Sequence, residues 1–183
     1  MKKTVVFGEI LITGMLLAGI YGILHDQVTY TIAPEYYTKF KFIQFRLNPE
    51  QFSNIRSAVA VVGFLATYWT GIIIGIVLGL TGFIFKDHKK MRTSVRKAFL
   101  VTFCVAIVTG FVGYLYGTFI LADIGVNWWL PSNLVDKRSF IVVGSIHNFS
   151  YLGGLLGMIA GIVYLVWKKK AMPIRDNLPS EQL

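Results

Sequence analysis

The sequence has few charged residues and a single cysteine. Asp, Glu, Lys and Arg make up 15% of its 183 residues, whereas soluble domains carry about 25%. Two long apolar runs, 57–85 and 98–121, contain no Asp, Glu, Lys, Arg or His. The lone Cys104 excludes an intramolecular disulfide and a C-x-x-C redox pair, and therefore a disulfide-exchange membrane enzyme. This composition indicates a membrane protein.

Long apolar stretches are abundant instead, and hydrophobic residues make up 55% of the chain. A transmembrane helix needs about 20 consecutive apolar residues, and four stretches meet this length: 5–24, 57–85, 98–121 and 140–167. We therefore predict an all-α membrane protein, a four-transmembrane-helix bundle that forms a single domain over residues 1–183. The connecting segments are two outer loops, a cytoplasmic loop and a cytoplasmic tail, at 25–56, 122–139, 86–97 and 168–183 respectively.

The basic residues lie mainly at one side of the predicted bundle. The net charge is +9, and twelve of the eighteen Lys and Arg residues precede the first span, join the second to the third, or follow the fourth. Cytoplasmic segments carry an excess of Lys and Arg, so both termini are predicted to be cytoplasmic. This distribution explains the positive charge without a nucleic-acid partner.

Glycine recurs at every fourth position in parts of the second and fourth spans. Residues four apart share one face of a helix, and glycine there lets two membrane helices approach closely. We expect the bundle to pack on faces formed by Gly71, Gly75, Gly79, Gly153, Gly157 and Gly161. Such faces serve contacts within one chain or between copies of a homo-oligomer.

The first outer loop is unusually aromatic. Val28, Tyr30 and Ile32 alternate with polar residues as in a β-strand until Pro34 interrupts the pattern. Five aromatic residues follow, at Tyr36, Tyr37, Phe40, Phe42 and Phe45. We expect this loop to cap the outer end of the bundle.

Local sequence also predicts where two helices begin. Asn48 followed by Pro49 is typical of a helix start, which would begin the second helix outside the membrane core. Ser132 or Asp136 is predicted to cap the fourth helix.

The segment 21–40 contains HDQVT at 25–29 and EYY at 35–37. It resembles a group of small four-span bacterial membrane proteins to which no activity is assigned. Shorter similar stretches surround Trp69 and run from His147 to Tyr151. The resemblance implies a bacterial cytoplasmic (inner) membrane protein and brings no functional residue with it.

Polar side chains within the spans are candidates for function, because an unpaired one in lipid is energetically costly. Glu9 is the only carboxylate within a span. It either binds protons or cations, or pairs with Lys2 or Lys3 near the cytoplasmic surface. Asn148 and Trp69 are further polar candidates.

A second group of polar residues lies near the outer surface. His25 and Asp26 follow the first span, Glu35 lies in the aromatic loop, and His147 lies about 10 Å below the outer end of the fourth span. If the loop folds inward, the four side chains converge. Imidazole and carboxylate groups would suit a divalent metal such as zinc. The alternatives are a metal-free polar cluster that orients the loop, and no convergence.

Three classes of function follow from these features. The favoured one is a non-enzymatic structural or accessory component of the membrane, in contact with lipid and with another copy or a membrane-protein partner. The second is a small transporter or a proton- or metal-handling protein that uses Glu9 or the outer cluster. The third is a membrane enzyme with the outer cluster as its active site. Geometry discriminates among them, since a cavity reaching Glu9 favours transport, and close imidazoles of His25 and His147 favour a ligand site.

Overall fold

Four helices in the structure are long and apolar enough to cross a membrane. The computed structural model describes residues 2–172, and the four helices within them are α1 (Lys3–Ile32), α2 (Ile55–Gly82), α3 (His88–Tyr116) and α4 (Lys137–Lys170). Helix α3 continues through a π-helical turn, Gly117–Leu121, and a last turn, Ala122–Ile124. The predicted all-α fold with four spans is confirmed, and the helices are those of a multi-pass membrane protein. Residues 173–183 of the predicted tail lie outside the described residues.

The helices form two antiparallel pairs. Helix α1 packs along α2 and α3 packs along α4, while the contacts between the pairs are fewer. We call the end that holds Lys3, Lys170 and the segment 83–87 the basic end. The opposite end, which holds segments 33–54 and 125–136, is the cap end.

Helix α1 is longer than its apolar run, and the prediction of strand-like structure after His25 is wrong. Gly19, Gly22, Asp26 and Thr29 are buried at intervals of three or four residues, so they form one continuous helical face. The helix ends where the Ala33 N–H donates to the Thr29 carbonyl. Packing on this face therefore keeps the segment helical, although its apolar and polar residues alternate as in a β-strand.

The aromatic segment packs on the cap end of the bundle. It consists of short helical turns at Pro34–Tyr36, Tyr37–Lys41, Phe42–Gln44 and Pro49–Gln51. Its buried side chains form one core cluster with residues of α2 and α4, including Tyr36, Tyr37, Phe42, Val59, Val62, Phe140 and Val143. The segment is thus held by apolar contacts.

The predicted start of the second helix is wrong, because Asn48 caps a different element. Its side chain accepts a hydrogen bond from the Glu50 N–H at 3.0 Å and begins the 3-10 turn. Helix α2 begins later, where Asn54 accepts from the Ser57 N–H at 2.9 Å. Of the two caps predicted for α4, Asp136 is confirmed, since it accepts from the Ser139 N–H at 2.9 Å.

The glycine faces lie between helices of the same chain. A Cβ added to Gly71 would lie 2.7 Å from the carbonyl carbon of Gly14 in α1. One added to Gly157 would lie 2.6 Å from the Thr102 carbonyl oxygen in α3. The other four predicted glycines also face residues of this chain: Gly75 meets Ile10 and Leu11, Gly79 meets Phe7, Gly153 meets Ala106 and Thr109, and Gly161 meets Leu78 and Thr102.

Candidate metal centre

His25 and Asp26 reach the interior of the bundle because α1 continues past them. Asp26 is 3% exposed, and the His25 side chain is 12% exposed. His25 Nδ1 lies 3.1 Å from Asp26 Oδ1, and His25 Nε2 lies 3.2 Å from Ser150 Oγ in α4. Both nitrogens of the His25 ring therefore have polar neighbours.

His147 of α4 faces the same carboxylate from the other side. Its Nδ1 lies 3.0 Å from the Val143 carbonyl oxygen, one turn earlier in the helix. A carbonyl oxygen only accepts hydrogen bonds, so Nδ1 carries the hydrogen and the neutral ring has a lone pair at Nε2. That Nε2 lies 3.3 Å from Asp26 Oδ1. In a neutral ring, a lone pair thus faces a carboxylate, and this contact is repulsive unless a proton or metal ion lies between the two atoms.

Two atoms of this cluster have no hydrogen-bond partner although they are buried. They are Asp26 Oδ2 and His147 Nε2. Buried polar atoms are nearly always paired, because leaving one unpaired costs about 1–3 kcal/mol. A proton, a water molecule or a metal ion at this point would satisfy these atoms.

The donor atoms are close enough together to share one metal ion. One atom from each of His25, Asp26 and His147 lies within 4.8 Å of the other two. Zinc bonds of about 2.0–2.1 Å in a tetrahedron put neighbouring ligand atoms about 3.3 Å apart, close to the 3.1 and 3.3 Å separations from Asp26 Oδ1. Three protein ligands leave a fourth position for water or another ligand.

The hydrogen bonds at the second ring nitrogen of each histidine also suit metal ligation. Metal-bound histidines normally donate their other ring N–H to a carbonyl, carboxylate or water. The Val143 carbonyl serves His147 in this way, and Ser150 Oγ is placed to serve His25. Ser150 was not among the predicted site residues. Its spacing of three from His147 is the signal that could have revealed it, since such residues share a helix face.

Aromatic residues of the segment 33–54, which we call the cap, pack against the cluster. The Tyr36 ring stacks on His147 with centroids 4.8 Å apart and an interplanar angle of 27°. The Tyr37 hydroxyl lies 2.6 Å from Thr29 Oγ1 on α1, one turn beyond His25. Burial raises the pKa of Tyr37, as does the charge of Asp26, so this hydroxyl keeps its hydrogen. These two tyrosines couple the position of the cap to the cluster.

Glu35 does not join the cluster, so the prediction that all four side chains converge is wrong, and only His25, Asp26 and His147 meet. Its carboxylate accepts hydrogen bonds from the N–H groups of Val135 and Asp136, with the shortest at 2.8 Å, and it pairs with Lys39. The hydrogen bond from Lys39 and those backbone donors lower the pKa of Glu35 to about 2. Glu35 therefore ties the cap to the segment that precedes α4.

Glu9 lies near the basic end and is paired. Its carboxylate accepts two hydrogen bonds from Arg92 of α3, at 2.8 and 2.9 Å. The partner of Glu9 is thus Arg92 of another helix, and the predicted pairing of Glu9 with Lys2 or Lys3 is wrong. This bidentate pair occupies both carboxylate oxygens of Glu9.

The two remaining polar candidates lie apart from the cluster. Asn148 is exposed and, with the rings of Tyr36, Trp128 and Trp129, lines a cavity of about 290 Å³ near the cap end. Trp69 is 49% exposed on α2.

Comparisons with protein-family models, with curated proteins and with solved structures find no match to this chain.

Proposed function

We propose that this protein is an integral membrane protein that binds one divalent transition-metal ion, of the zinc class, through His25, Asp26 and His147. The observation that carries the proposal is the meeting of His147 Nε2 with the Asp26 carboxylate. Both groups are buried, both present lone pairs, and Nε2 has no hydrogen-bond partner. A cation between them removes the repulsion and satisfies both.

The donor set favours zinc over magnesium or calcium. Two imidazoles and one carboxylate suit zinc and neighbouring transition metals, whereas magnesium and calcium prefer sites made of oxygen atoms. The site joins α1 to α4, which otherwise touch little, and Tyr36 of the cap stacks on one of its ligands. A bound metal would therefore hold together the two helix pairs and the cap, in keeping with a non-enzymatic accessory role.

We further propose that the cap end faces outward from a bacterial cytoplasmic membrane and that both termini are cytoplasmic. The support is the excess of Lys and Arg in the segments at the basic end. The metal site would then lie in the outer half of the membrane, where it would draw its metal from outside the cytoplasm.

Metal analysis of purified protein tests the proposal. The full chain is purified in detergent without chelator, and its zinc, manganese, iron, nickel and copper contents are measured. We expect about one zinc-class ion per chain in the wild type. The variants His147→Gln and Asp26→Asn should both lose this ion. His88→Gln serves as the control, because His88 lies at the basic end, beside Asp87, and does not belong to the cluster.

A stability measurement provides an independent readout. Adding zinc to the metal-depleted wild type at about 100 times its dissociation constant should stabilise the fold by about 2.7 kcal/mol. The same addition should leave the melting temperature of His147→Gln unchanged. Wild-type protein that contains no stoichiometric metal and shows no stabilisation by any of the five metals would overturn the proposal.

A further inference from the structure

The basic end carries a large excess of positive charge. Within residues 2–172, eleven Lys and Arg residues lie in 2–3, 86–97 and 168–170, against the two carboxylates of Glu9 and Asp87. Both carboxylates are used inside the protein. Glu9 pairs with Arg92, and Asp87 caps α3 by accepting a hydrogen bond from the Lys90 N–H at 3.1 Å. In the described part of the chain, nine positive charges at this end are therefore in excess.

The packing of α3 on α4 locates the membrane surface at this end. Gly157 faces Thr102, and Gly161, four residues later in α4, faces Ala98, four residues earlier in α3. Continuing this register places Trp167 level with the second turn of α3. Trp167 is 63% exposed, and tryptophan is enriched where a membrane helix meets the boundary between lipid and water. The second turn of α3 therefore lies at the membrane surface.

Two basic residues lie on one face of α3, on either side of that turn. Lys89 and Arg96 are seven residues apart, or about two helical turns, and both are exposed. Their Cα atoms are thus separated by about 10 Å along the helix. Long basic side chains near a membrane surface extend towards the headgroups. Lys89 and Arg96 can therefore approach one phosphate group from its two sides.

The same face of α3 continues as apolar surface exposed to lipid. Leu100 and Phe103 follow Arg96 by four and seven residues, and they are 62% and 37% exposed. Phe103 and Ile107 also line an apolar groove of about 460 Å³ between α1 and α3. Such a surface suits an acyl chain, which needs no polar partner. One helix face thus presents positive charge first and apolar surface next, in the order of the parts of a phospholipid.

The charge of the site decides which phospholipids fit it. A zwitterionic headgroup has no net charge, and its ammonium group would be repelled by the many basic residues of this end. An anionic headgroup avoids this repulsion, and each Lys or Arg near it strengthens binding about fivefold. A soluble anion has the charge but lacks the chain that would cover Leu100 and Phe103.

We propose that Lys89 and Arg96 hold the headgroup of an anionic phospholipid, whose acyl chain lies along α3 on Leu100 and Phe103. This lipid would lie in the seam between α1 and α3, where the two helix pairs share few contacts. It would therefore connect the pairs at the basic end. The site is separate from the metal centre at the other end of the bundle and does not depend on it.

Native mass spectrometry of the full chain, purified in detergent, tests the proposal. The protein is titrated at low ionic strength with dioleoyl phosphatidylglycerol, which is anionic, or with dioleoyl phosphatidylcholine, which is zwitterionic and has the same acyl chains. We expect phosphatidylglycerol to bind about 25-fold more tightly, since two charges contribute about fivefold each. Equal binding of the two lipids would overturn the proposal.

Two neighbouring residues provide a matched pair of variants. Arg96→Gln and Lys97→Gln each remove one positive charge from an exposed side chain, but Lys97 lies about 100° further round the helix. Arg96→Gln should weaken phosphatidylglycerol binding about fivefold and Lys97→Gln less than twofold, while the double variant Lys89→Gln/Arg96→Gln should weaken it about 25-fold. Melting temperatures without added lipid check that all variants are folded. Equal weakening by Arg96→Gln and Lys97→Gln would show a diffuse attraction to charge and would overturn the site.

A soluble phosphate separates a lipid site from a simple phosphate site. Glycerol 3-phosphate carries the anionic group without an acyl chain, so at the concentration of the lipid it should neither bind measurably nor displace phosphatidylglycerol. Binding of glycerol 3-phosphate as tight as that of phosphatidylglycerol would show that α3 offers nothing to the chain, and it would overturn the proposal of a lipid.

Discussion

Gly71 and Gly75 lie one turn apart on the same face of α2, and we expect them to respond differently to alanine. A Cβ on Gly71 would lie 2.7 Å from the Gly14 carbonyl carbon and 2.6 Å from the Ala18 Cβ. Carbon atoms in contact are normally about 3.5–4.0 Å apart. Gly71→Ala therefore requires α1 and α2 to separate by about 1 Å at their closest point. At Gly75 the nearest atoms would be 3.4 Å away, which needs almost no adjustment.

The loss of stability caused by Gly71→Ala follows from the number of atom contacts between α1 and α2 that loosen. If about 30 atom pairs of about 0.15 kcal/mol each lose a third to a half of their attraction, the loss is about 1.5–2 kcal/mol. This agrees with the usual cost of overpacking, about 1–3 kcal/mol. For a chain of this size, about 2 kcal/mol corresponds to a decrease in melting temperature of about 4–8 °C. Gly75→Ala should stay within about 0.5 kcal/mol of the wild type.

Thermal unfolding in detergent, followed by circular dichroism, measures both variants under identical conditions. The comparison is internal, because both substitutions add one methyl group to the same helix. Our account of this contact would be refuted if Gly71→Ala melted with the wild type, or if Gly75→Ala lost as much stability as Gly71→Ala.

Two further predictions concern the metal centre and the cap. Ser150→Ala removes the hydrogen bond between Ser150 Oγ and His25 Nε2, so the affinity of the protein for zinc should fall about 10–100-fold. Titration against a chelating dye measures this affinity. An unchanged affinity would show that Ser150 does not support His25 as a ligand. Glu35→Gln should destabilise the cap at neutral pH. Because the pKa of Glu35 is lowered from 4.5 to about 2 in the folded protein, its stabilising effect is complete above about pH 4.5 and is lost as the pH falls towards 2. The difference in melting temperature between wild type and Glu35→Gln should therefore shrink over this range, and a difference that does not vary with pH would contradict the assignment.

The fold could be predicted further than the site. Four long apolar runs predicted four helices, because the length needed to cross a bilayer and the lack of charge are properties of each segment alone. The cap residue Asp136 was also predictable, since capping depends on a few neighbouring residues. The strand-like alternation at Val28, Tyr30 and Ile32 was misleading, because the buried face of α1 continues through Asp26 and Thr29 and keeps the segment helical.

The candidate ligands were recognisable as polar residues at similar depth, but their convergence was not. His25 and Glu35 are ten residues apart, and either could have faced the cluster. The extension of α1 directs His25 inward, while backbone donors at Val135 and Asp136 hold Glu35 elsewhere. Likewise, Arg92 became the partner of Glu9 because α1 and α3 meet at the basic end.

Composition and periodicity thus determined that this chain has four spans, a basic side and glycine faces, because each of these depends on one segment and on its affinity for lipid or water. The meeting of His25, Asp26 and His147 depends on the rotation and relative height of α1 and α4. Those quantities depend on how the pair α1–α2 packs on the pair α3–α4 and on the aromatic cap, and both sets of contacts join residues far apart in the chain. A shift of α4 by one residue would rotate His147 by about 100° and move it away from Asp26. The site is therefore a property of how the helices pack, and it follows from no single segment.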